Sequence, residues 1–352
     1  MQVSEEDFQI RRLTSQAARF KDPVRARKAA LKAWRTIRAK RRVANASNTV
    51  SLLEFKGQIL RLPPGVASST FKITVPLIKN SKLTYVSKGG VGKQLSDGWA
   101  LNFAIGCTFG CKFCYVDEIH KKWGASRAGP IVFNEWGDYF SVPSNIDEAI
   151  DKTPWRRWMG QEVMLSSTHD PYLAQLKPWT TKILGKALPE GVRFCIQTRS
   201  PLAEQDLELL QGYKSQVRLQ VSIATYSSEL SRVIEPRVVP PNRRMAILEK
   251  AREYNIPTGI IIAPVFPSNS IRPNVSADIE AMVEDLARVK PTYVFGESVH
   301  VRGLNQAYVE KAIGEPLQLQ GFDRKAEKLF YATLAKYKLK GVWWPEHDNY
   351  AN

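Results

Sequence analysis

Three closely spaced cysteines are the residues of this 352-residue chain best suited to chemistry. Cys107, Cys111 and Cys114 form a C-x3-C-x2-C pattern, and the aromatic Phe113 directly precedes the last cysteine. Cysteine thiolates hold the irons of a [4Fe–4S] cluster, and a complete site normally takes four of them. Three local cysteines would therefore bind three irons and leave the fourth iron open to a ligand that is not a cysteine.

The rival interpretation of these cysteines is a zinc site. Cys111 and Cys114 have the spacing of a zinc knuckle, and His120 follows them closely. Zinc fingers normally pair two such half-sites, however, and the chain has no second C-x2-C or H-x3-H pattern. A disulfide framework is disfavoured because the whole chain has only four cysteines, which is typical of a reducing compartment. Ligand number and spacing favour the cluster over zinc.

Composition excludes several classes of protein. The hydrophobic fraction of 43% is enough for a full core, and no apolar run is long enough to cross a membrane. The acidic N-terminus lacks the apolar stretch of a signal peptide. We therefore expect a soluble cytoplasmic protein with no membrane partner, which suits an oxygen-sensitive cluster.

The basic charge is concentrated near the N-terminus. The chain has a formal net charge of +17, and the segment from Arg11 to Arg42 holds thirteen basic residues against one acid, Asp22. Asp22 and Pro23 resemble a helix start, so we predict a helix over about 24–42. A basic block of this kind is the electrostatic footprint expected of nucleic-acid contact. The alternative is a solvated basic tail with no specific partner.

Strands and helices alternate from Trp99 onward, which favours a parallel α/β architecture. We predict six strands, at 100–105, 163–167, 193–197, 217–223, 258–265 and 292–296. We predict helices at 178–187, 202–212, 243–254, 277–289 and 325–337. Six such units, with chemistry at the carboxyl ends of the strands, would form a partial (β/α)6 TIM-like barrel.

The domain boundaries follow from the changes in pattern along the chain. We expect a basic helical N-terminal extension at 1–48, a short β-rich extension at 49–98, a core barrel at 99–302 and a C-terminal helical tail at 303–352. Within the β-rich extension, short apolar runs separated by Pro and Gly predict strands at 50–54, 58–62, 71–75 and 83–87.

The cysteine pattern resembles the signature of the radical S-adenosylmethionine (SAM) enzymes. In that superfamily, the amino and carboxylate groups of SAM chelate the fourth iron. The reduced cluster cleaves SAM to a 5′-deoxyadenosyl radical, which abstracts hydrogen from a substrate. The resemblance implies a [4Fe–4S] cluster and SAM as cofactors, with an external electron donor such as flavodoxin or ferredoxin.

The stretch from about 102 to 302 is similar to the spore photoproduct lyase branch of this superfamily, also labelled DNA repair photolyase-like. The matching motifs are Ser166-Ser-Thr-His-Asp170-Pro-Tyr, Thr198-Arg199, Ser222, Glu235-Pro236-Arg237 with Arg244, and Ile261-Ile-Ala263-Pro264-Val265. Arginine stands at Arg199 where that branch has lysine, which preserves the charge and adds a planar fork.

The resemblance implies a role for each matched residue. Arg199 would pair with the SAM carboxylate, Ser222 would hydrogen bond to its polar groups, and the backbone around Ala263 would flank the adenine. The remaining roles are a further cofactor contact at Arg244 and catalytic positions at Tyr115, Thr168 and Asp170, the last two lining the open end of the barrel. Simpler structural roles exist for several of them, such as a surface ion pair for Arg199 and a helix cap for Asp170.

Two departures separate this chain from spore photoproduct lyase itself. That enzyme returns a hydrogen atom through one cysteine and two tyrosines. The cysteine position is Ser167 here, one tyrosine position is Phe113, and only Tyr115 is retained. An O–H bond is much stronger than an S–H bond, so Ser167 is a poor hydrogen donor and thymine-dimer reversal is disfavoured. The remaining cysteine, Cys195, lies inside a predicted strand and is expected to be a buried structural residue.

The leading functional hypothesis is a radical SAM enzyme that abstracts hydrogen from a nucleic acid, in DNA or RNA repair or modification. A second hypothesis keeps this chemistry and takes a peptide or protein as the substrate. A third is a non-catalytic module that binds zinc or nucleic acid.

Overall fold

The computed structural model describes residues 52–55, 58–81 and 95–344. The basic segment from Arg11 to Arg42, its predicted helix and the predicted strand at 83–87 lie outside these ranges. Within them, no helix combines the length and the apolar character that a membrane crossing requires.

The core of the molecule is an eight-stranded sheet in the order β12-β11-β10-β9-β8-β7-β5-β4. Its strands are β4 (Ile78–Asn80), β5 (Trp99–Leu101), β7 (Glu162–Leu165), β8 (Arg193–Thr198), β9 (Val217–Ile223), β10 (Thr258–Val265), β11 (Tyr293–Ser298) and β12 (Val342–Trp343). All neighbours pair in parallel except β4, which is antiparallel to β5. The sheet contains the six predicted parallel strands in chain order, which confirms the predicted α/β partial barrel.

Helices connect these strands and cover the outer face of the sheet. They are α1 (Val116–Ile119), α2 (Ala125–Ala128), α3 (Ile146–Lys152), α4 (Lys177–Ala187), α5 (Leu207–Gly212), α6 (Ser228–Ile234), α7 (Pro241–Glu253), α8 (Val275–Val289), α9 (Asn305–Ile313) and α10 (Phe322–Lys336). A π turn at His120–Gly124 joins α1 to α2, and 3-10 turns lie at Gly129–Phe133, Trp155–Trp158 and Pro201–Asp206.

Two small sheets lie beside the barrel. Strands β1 (Leu52–Phe55) and β2 (Gln58–Arg61) form an antiparallel pair, and β3 (Ala67–Phe71) pairs in parallel with β6 (Tyr139–Pro143). The predicted strand at 71–75 is wrong in position, because β3 runs from Ala67 to Phe71.

Alternation along the strands separates the outer core from the barrel interior. On β9, Val217, Leu219, Val221 and Ile223 join the large core under the helices. The intervening side chains of this fully buried strand point to the inner face, where Arg218 lies 4.8 Å from the Tyr293 ring and Gln220 contacts Cys195. Successive side chains of a strand point to opposite faces, so period-2 alternation places these polar residues inside the barrel.

The open side of the partial barrel is packed with apolar side chains. Leu95, which precedes β5, and Trp344, which follows β12, both pack on an inner cluster that includes Met164, Ile261 and Phe295. The C-terminal segment therefore supplies a strand and a wall residue to the barrel in addition to its helices.

Candidate active site

A cavity of about 440 Å³ opens at the carboxyl ends of the parallel strands. Its wall brings together Cys107, Cys111, Cys114, Tyr115, Thr168, Asp170, Arg199, Ser222 and Ala263. These are nine of the ten site residues expected from the sequence, and they come from segments spread over more than 150 residues of the chain.

The cysteine loop is fixed by close backbone packing. Gly106 has φ +90°, and a Cβ at this position would lie 2.4 Å from the Tyr139 carbonyl oxygen, so only glycine fits. The Gly106 N–H donates to Nδ1 of His120 at 3.0 Å, and Ile105 forms a bridge with Ser141 of β6. The predicted strand at 100–105 is shorter than expected, since β5 ends at Leu101 and the chain then leaves the sheet toward this loop.

The three thiols are enclosed and lie close to one another. Burial raises the pKa of Cys107 to about 11 and that of Cys114 to about 12, and it raises the pKa of Cys111 well above its usual value. Backbone N–H groups of Phe109 and Asp170 hydrogen bond to the Cys107 sulfur and oppose the rise in its pKa. Metal binding therefore has to displace protons from these sulfurs.

The donor set fits an iron–sulfur cluster. Three cysteine sulfurs share one cavity wall, and backbone N–H groups hydrogen bond to those of Cys107 and Cys114, a feature that tunes the potential of such clusters. Among the described residues, no three His, Cys, Asp or Glu side chains are grouped as ligands of a single metal ion. Cysteine sulfur is the ligand type that holds the irons of such a cluster.

Arg199 is a cation of the cavity wall that lies near the cysteines. It follows β8, its Nε donates to Oε1 of Glu235 at 3.0 Å, and its guanidinium lies 5.5 Å from the Phe113 ring. Its positive charge lowers the pKa of all three cysteines against the effect of burial. Arg199 is therefore placed to stabilise thiolates and any bound carboxylate in the same cavity.

Arg244 is the one expected site residue that does not line the cavity. Its side chain is fully buried on α7 and is absent from the cavity wall. Its guanidinium forms a two-pronged ion pair with Glu235, at 3.0 and 2.6 Å, and donates to the Ser222 carbonyl oxygen at 2.7 Å. Glu235 therefore lies between Arg244 and Arg199.

Asp170 and Thr168 shape the loop after β7. The Asp170 carboxylate accepts hydrogen bonds from Thr198 Oγ1 at 2.7 Å, from the Tyr172 N–H at 2.9 Å and from the Arg199 N–H at 2.6 Å. Burial raises the pKa of Asp170, and these donors oppose the rise. Asp170 therefore joins the ends of β7 and β8, while Thr168 lines the cavity beside His169.

The remaining expected residues lie on the walls of the cavity. Ser222, at the carboxyl end of β9, accepts a hydrogen bond from Gln197 Nε2 at 2.9 Å, and Ala263 lies near the end of β10. The Tyr115 hydroxyl donates to the Ser167 carbonyl oxygen at 3.0 Å, and the Ser167 N–H donates to Oδ1 of Asn102 at 2.9 Å.

Sequence reasoning missed one side of the cavity. The additional wall residues include Gln197, Glu297, His300, Arg302, Asn305 and Trp344. The signal for Gln197 was its position two residues before Arg199 on a strand, which places both on one face. Oε1 of Gln197 and Nε2 of His169 are buried and find no partner in the part of the chain that the structure describes. They leave hydrogen-bonding capacity for a polar ligand.

Comparisons with known proteins agree with this geometry. The Radical SAM superfamily pattern matches residues 101–305, more than half of the chain. The protein ORF301 of Acidianus two-tailed virus is 53% identical over 282 residues, covering 80% of this chain and 94% of that protein. The protein MJ0683 of Methanocaldococcus jannaschii is 24% identical over 170 residues, covering 48% of this chain and 61% of that protein.

Solved structures of spore photoproduct lyase share the fold. The complex with the dinucleoside spore photoproduct superposes with a TM-score of 0.53 at 14% identity, over 79% of this chain and 81% of the lyase. A mutant of that lyase with bound SAM and the same dinucleoside gives 0.51 at 13% identity, over 70% and 76% of the two chains. The chain therefore belongs to the radical SAM superfamily, as an enzyme whose cofactors are a [4Fe–4S] cluster and SAM.

Proposed function

We propose that this enzyme abstracts hydrogen from a nucleotide in DNA or RNA, in a repair or modification reaction. The observation that carries the proposal is a single cavity whose wall combines the three cysteines with the Arg199 cation. The substrate class is supported by the net charge of +17 and by the spore photoproduct lyases, which share the fold and are known in complex with a dinucleoside.

Each side of the cavity has a separate task in this proposal. Cys107, Cys111 and Cys114 would hold the cluster, and Arg199 would pair with the SAM carboxylate. When bound, the reduced cluster and SAM together supply a 5′-deoxyadenosyl radical, and the protein supplies placement and exclusion of side reactions. Ser222 and the backbone at Ala263 would orient the cofactor from β9 and β10, while Tyr115 and Thr168 would face the substrate.

The reaction proposed here differs from that of spore photoproduct lyase. Ser167 offers an O–H group that is engaged with Asn102, and Phe113 has no hydroxyl group. The remaining thiol of the chain, on Cys195, is fully buried, donates to Gln220 and does not line the cavity. Apart from the three cluster cysteines, the described part of the cavity wall therefore offers no thiol that could return hydrogen to the substrate.

A base must leave its stack to reach an enclosed cavity of this size. Enzymes that act on bases extrude the target nucleotide or take it from a single strand, at a cost of a few kcal/mol. We therefore propose a single-stranded, damaged or flipped nucleotide as the reacting unit.

Two assays test the proposal in sequence. Anaerobically reconstituted protein with a strong reductant is expected to form 5′-deoxyadenosine from SAM, and a Cys111→Ala variant is expected to form none. Mass spectrometry of nucleosides from cells with and without the gene is then expected to show a modified nucleoside that depends on the gene. An unchanged nucleoside profile together with an altered protein or peptide would move the substrate to the second class.

The contribution of the basic segment is tested by deleting residues 1–45. Binding of single-stranded DNA and tRNA to the full chain is expected to weaken steeply with salt, since each neutralised phosphate releases counterions. The deletion is expected to flatten this dependence. Equal salt slopes for both proteins would remove the segment from the proposal.

A further inference from the structure

The helix that follows the cysteine loop presents an exposed tryptophan. Trp123 is 63% exposed, although a side chain of this size normally buries most of its surface. It lies in the π turn at His120–Gly124, and such turns are frequent at functional sites. A single exposed apolar side chain is common on protein surfaces, so the charged residues around Trp123 decide whether it marks an interaction surface.

The exposed neighbours of Trp123 along this segment are basic or neutral. From Val116 to Ala128 the exposed residues are Lys122, Trp123, Ser126 and Arg127. The Lys122 ammonium lies 5.1 Å from the Trp123 ring, and the Arg127 guanidinium lies 5.7 Å from the Phe71 ring of β3. The acid Asp117 of the same helical segment is buried and paired with Lys121.

This helical segment borders the cavity. It begins directly after Tyr115, which lines the cavity, and His120 holds the cysteine loop through the Gly106 N–H. A Cβ at Gly303 would collide with Cγ of Glu118, so the loop that carries Arg302 lies against α1. Trp123 is seven residues beyond the helix start, about 10 Å along the axis at the usual rise of a helix.

An aromatic ring with flanking cations is the recognition unit for single-stranded nucleic acid. Each base has a π face that stacks on an aromatic side chain, and Lys or Arg beside it contacts the phosphates. Resting on the proposed function, we infer that Lys122, Trp123 and Arg127 form a stacking platform. It binds an unpaired base a few nucleotides from the one that enters the cavity.

The test measures binding of a fluorescent 12-nucleotide single strand to the full, reconstituted chain. Trp123→Ala is expected to weaken binding about 5- to 100-fold, the range for loss of one stacked base. Trp123→Phe, which keeps an aromatic face, is expected to stay within about threefold of the unchanged protein. The matched control is Met159→Ala, because Met159 is 62% exposed beside Arg156 and Arg157 at the opposite end of the barrel.

The two cations are tested through the salt dependence of binding. The logarithm of the binding constant falls linearly with the logarithm of the salt concentration. The double variant Lys122→Ala, Arg127→Ala is expected to make this fall less steep, by about 0.7 for each phosphate that it no longer neutralises. The pair Arg156→Ala with Arg157→Ala is expected to leave the slope unchanged. Trp123→Ala is expected to lower affinity without changing the slope, because stacking releases no counterions.

The outcomes separate the platform from the proposed function. If the unchanged protein binds the strand and Trp123→Ala binds equally well, the platform is wrong and the proposed function stands. If the unchanged protein binds no nucleic acid, the proposed substrate class fails and the platform fails with it. If Trp123→Ala binds normally but is reduced more slowly by flavodoxin, the surface serves an electron donor and the inference is overturned.

Discussion

Arg199 lines the cavity and also forms an ion pair with the buried Glu235 behind the cavity wall. Its guanidinium meets the cysteine side of the cavity, and its Nε is held by Glu235, a carboxylate that is fully buried. The ion pair with Glu235 gives this long side chain one orientation. A cation fixed in this way lowers the cost of placing anionic ligands and thiolates in an enclosed site.

Removing the charge of Arg199 is expected to weaken SAM binding more than changing its shape. Arg199→Gln should raise the Kd for SAM about 10- to 100-fold, the usual value of a charge-assisted hydrogen bond, and Arg199→Lys should lose less. Calorimetry on reconstituted protein measures both. Arg243→Gln is the matched control, since Arg243 pairs with Glu204 away from the cavity. Equal affinities for Arg199→Gln and the control would contradict the assigned role.

The pair of Glu235 and Arg244 is expected to matter for stability as well. Both side chains are fully buried, and Arg244 lowers the pKa of Glu235 against the effect of burial. Glu235→Gln should reduce the free energy of unfolding by about 3–5 kcal/mol, because it leaves buried cations without an anion. Urea titration measures the loss. The double variant with Arg244→Met should recover part of it, and a Glu235→Gln protein of unchanged stability would be inconsistent with this account.

At the scale of elements, the cysteine loop depends on contacts with parts of the chain that follow it. Gly106 packs against the Tyr139 carbonyl of β6, and Arg237 donates to the Gly137 and Thr108 carbonyl oxygens. The loop is therefore placed by the segment at 137–143 and by the connection after α6, as well as by β5.

Adding one methyl group at Gly106 is expected to displace the cysteine loop. Gly106→Ala places a Cβ 2.4 Å from a backbone oxygen at positive φ, so the loop must shift. We expect less than half of the normal iron content after reconstitution, measured by absorbance and iron analysis. Gly185→Ala is the control, because Gly185 lies in α4 and the added Cβ would meet open space. This variant should raise the free energy of unfolding by up to about 1 kcal/mol. Full iron content in Gly106→Ala would disprove the tight fit.

At the scale of the whole molecule, two buried histidines and the half-buried His300 link stability to pH. Burial lowers the pKa of His120 and of His169 from 6.5 to about 3, and that of His300 to about 4. Below pH 6.5 the unfolded chain therefore binds protons at these positions, whereas the folded chain does not until the pH approaches 4. The free energy of unfolding contributed by these groups is fully present above pH 6.5 and falls as the pH decreases.

A single substitution isolates this effect. Between pH 6.5 and 5, His120→Gln should reduce the pH dependence of the unfolding free energy by up to about 1.4 kcal/mol per pH unit, the value for one proton. Glutamine keeps an acceptor for the Gly106 N–H and does not titrate. Denaturant titrations at several pH values measure the slope. Parallel slopes for the two proteins would show that His120 is protonated in the folded state.

Much of the site was visible in the sequence because its signals are local. The cysteine spacing lies within eight residues, and the strands carry long apolar runs that need no partner to be recognised. The strand β12 near the C-terminus was harder to predict, because it has only two residues and forms only through its pairing with β11. The burial of Arg244 behind Glu235 was hard to predict for the same reason, since it depends on how α7 packs on β9.

By itself, the sequence determined the chemistry of this protein and the class of its fold. Ligand type and spacing are properties of a short segment, and hydrophobic periodicity is a property of each strand or helix. Only the tertiary structure decided which side chains face the cavity, which of them lie behind another residue, and that Trp123 remains exposed. Those outcomes depend on packing between segments far apart in the chain, and no local pattern of residues encodes that packing.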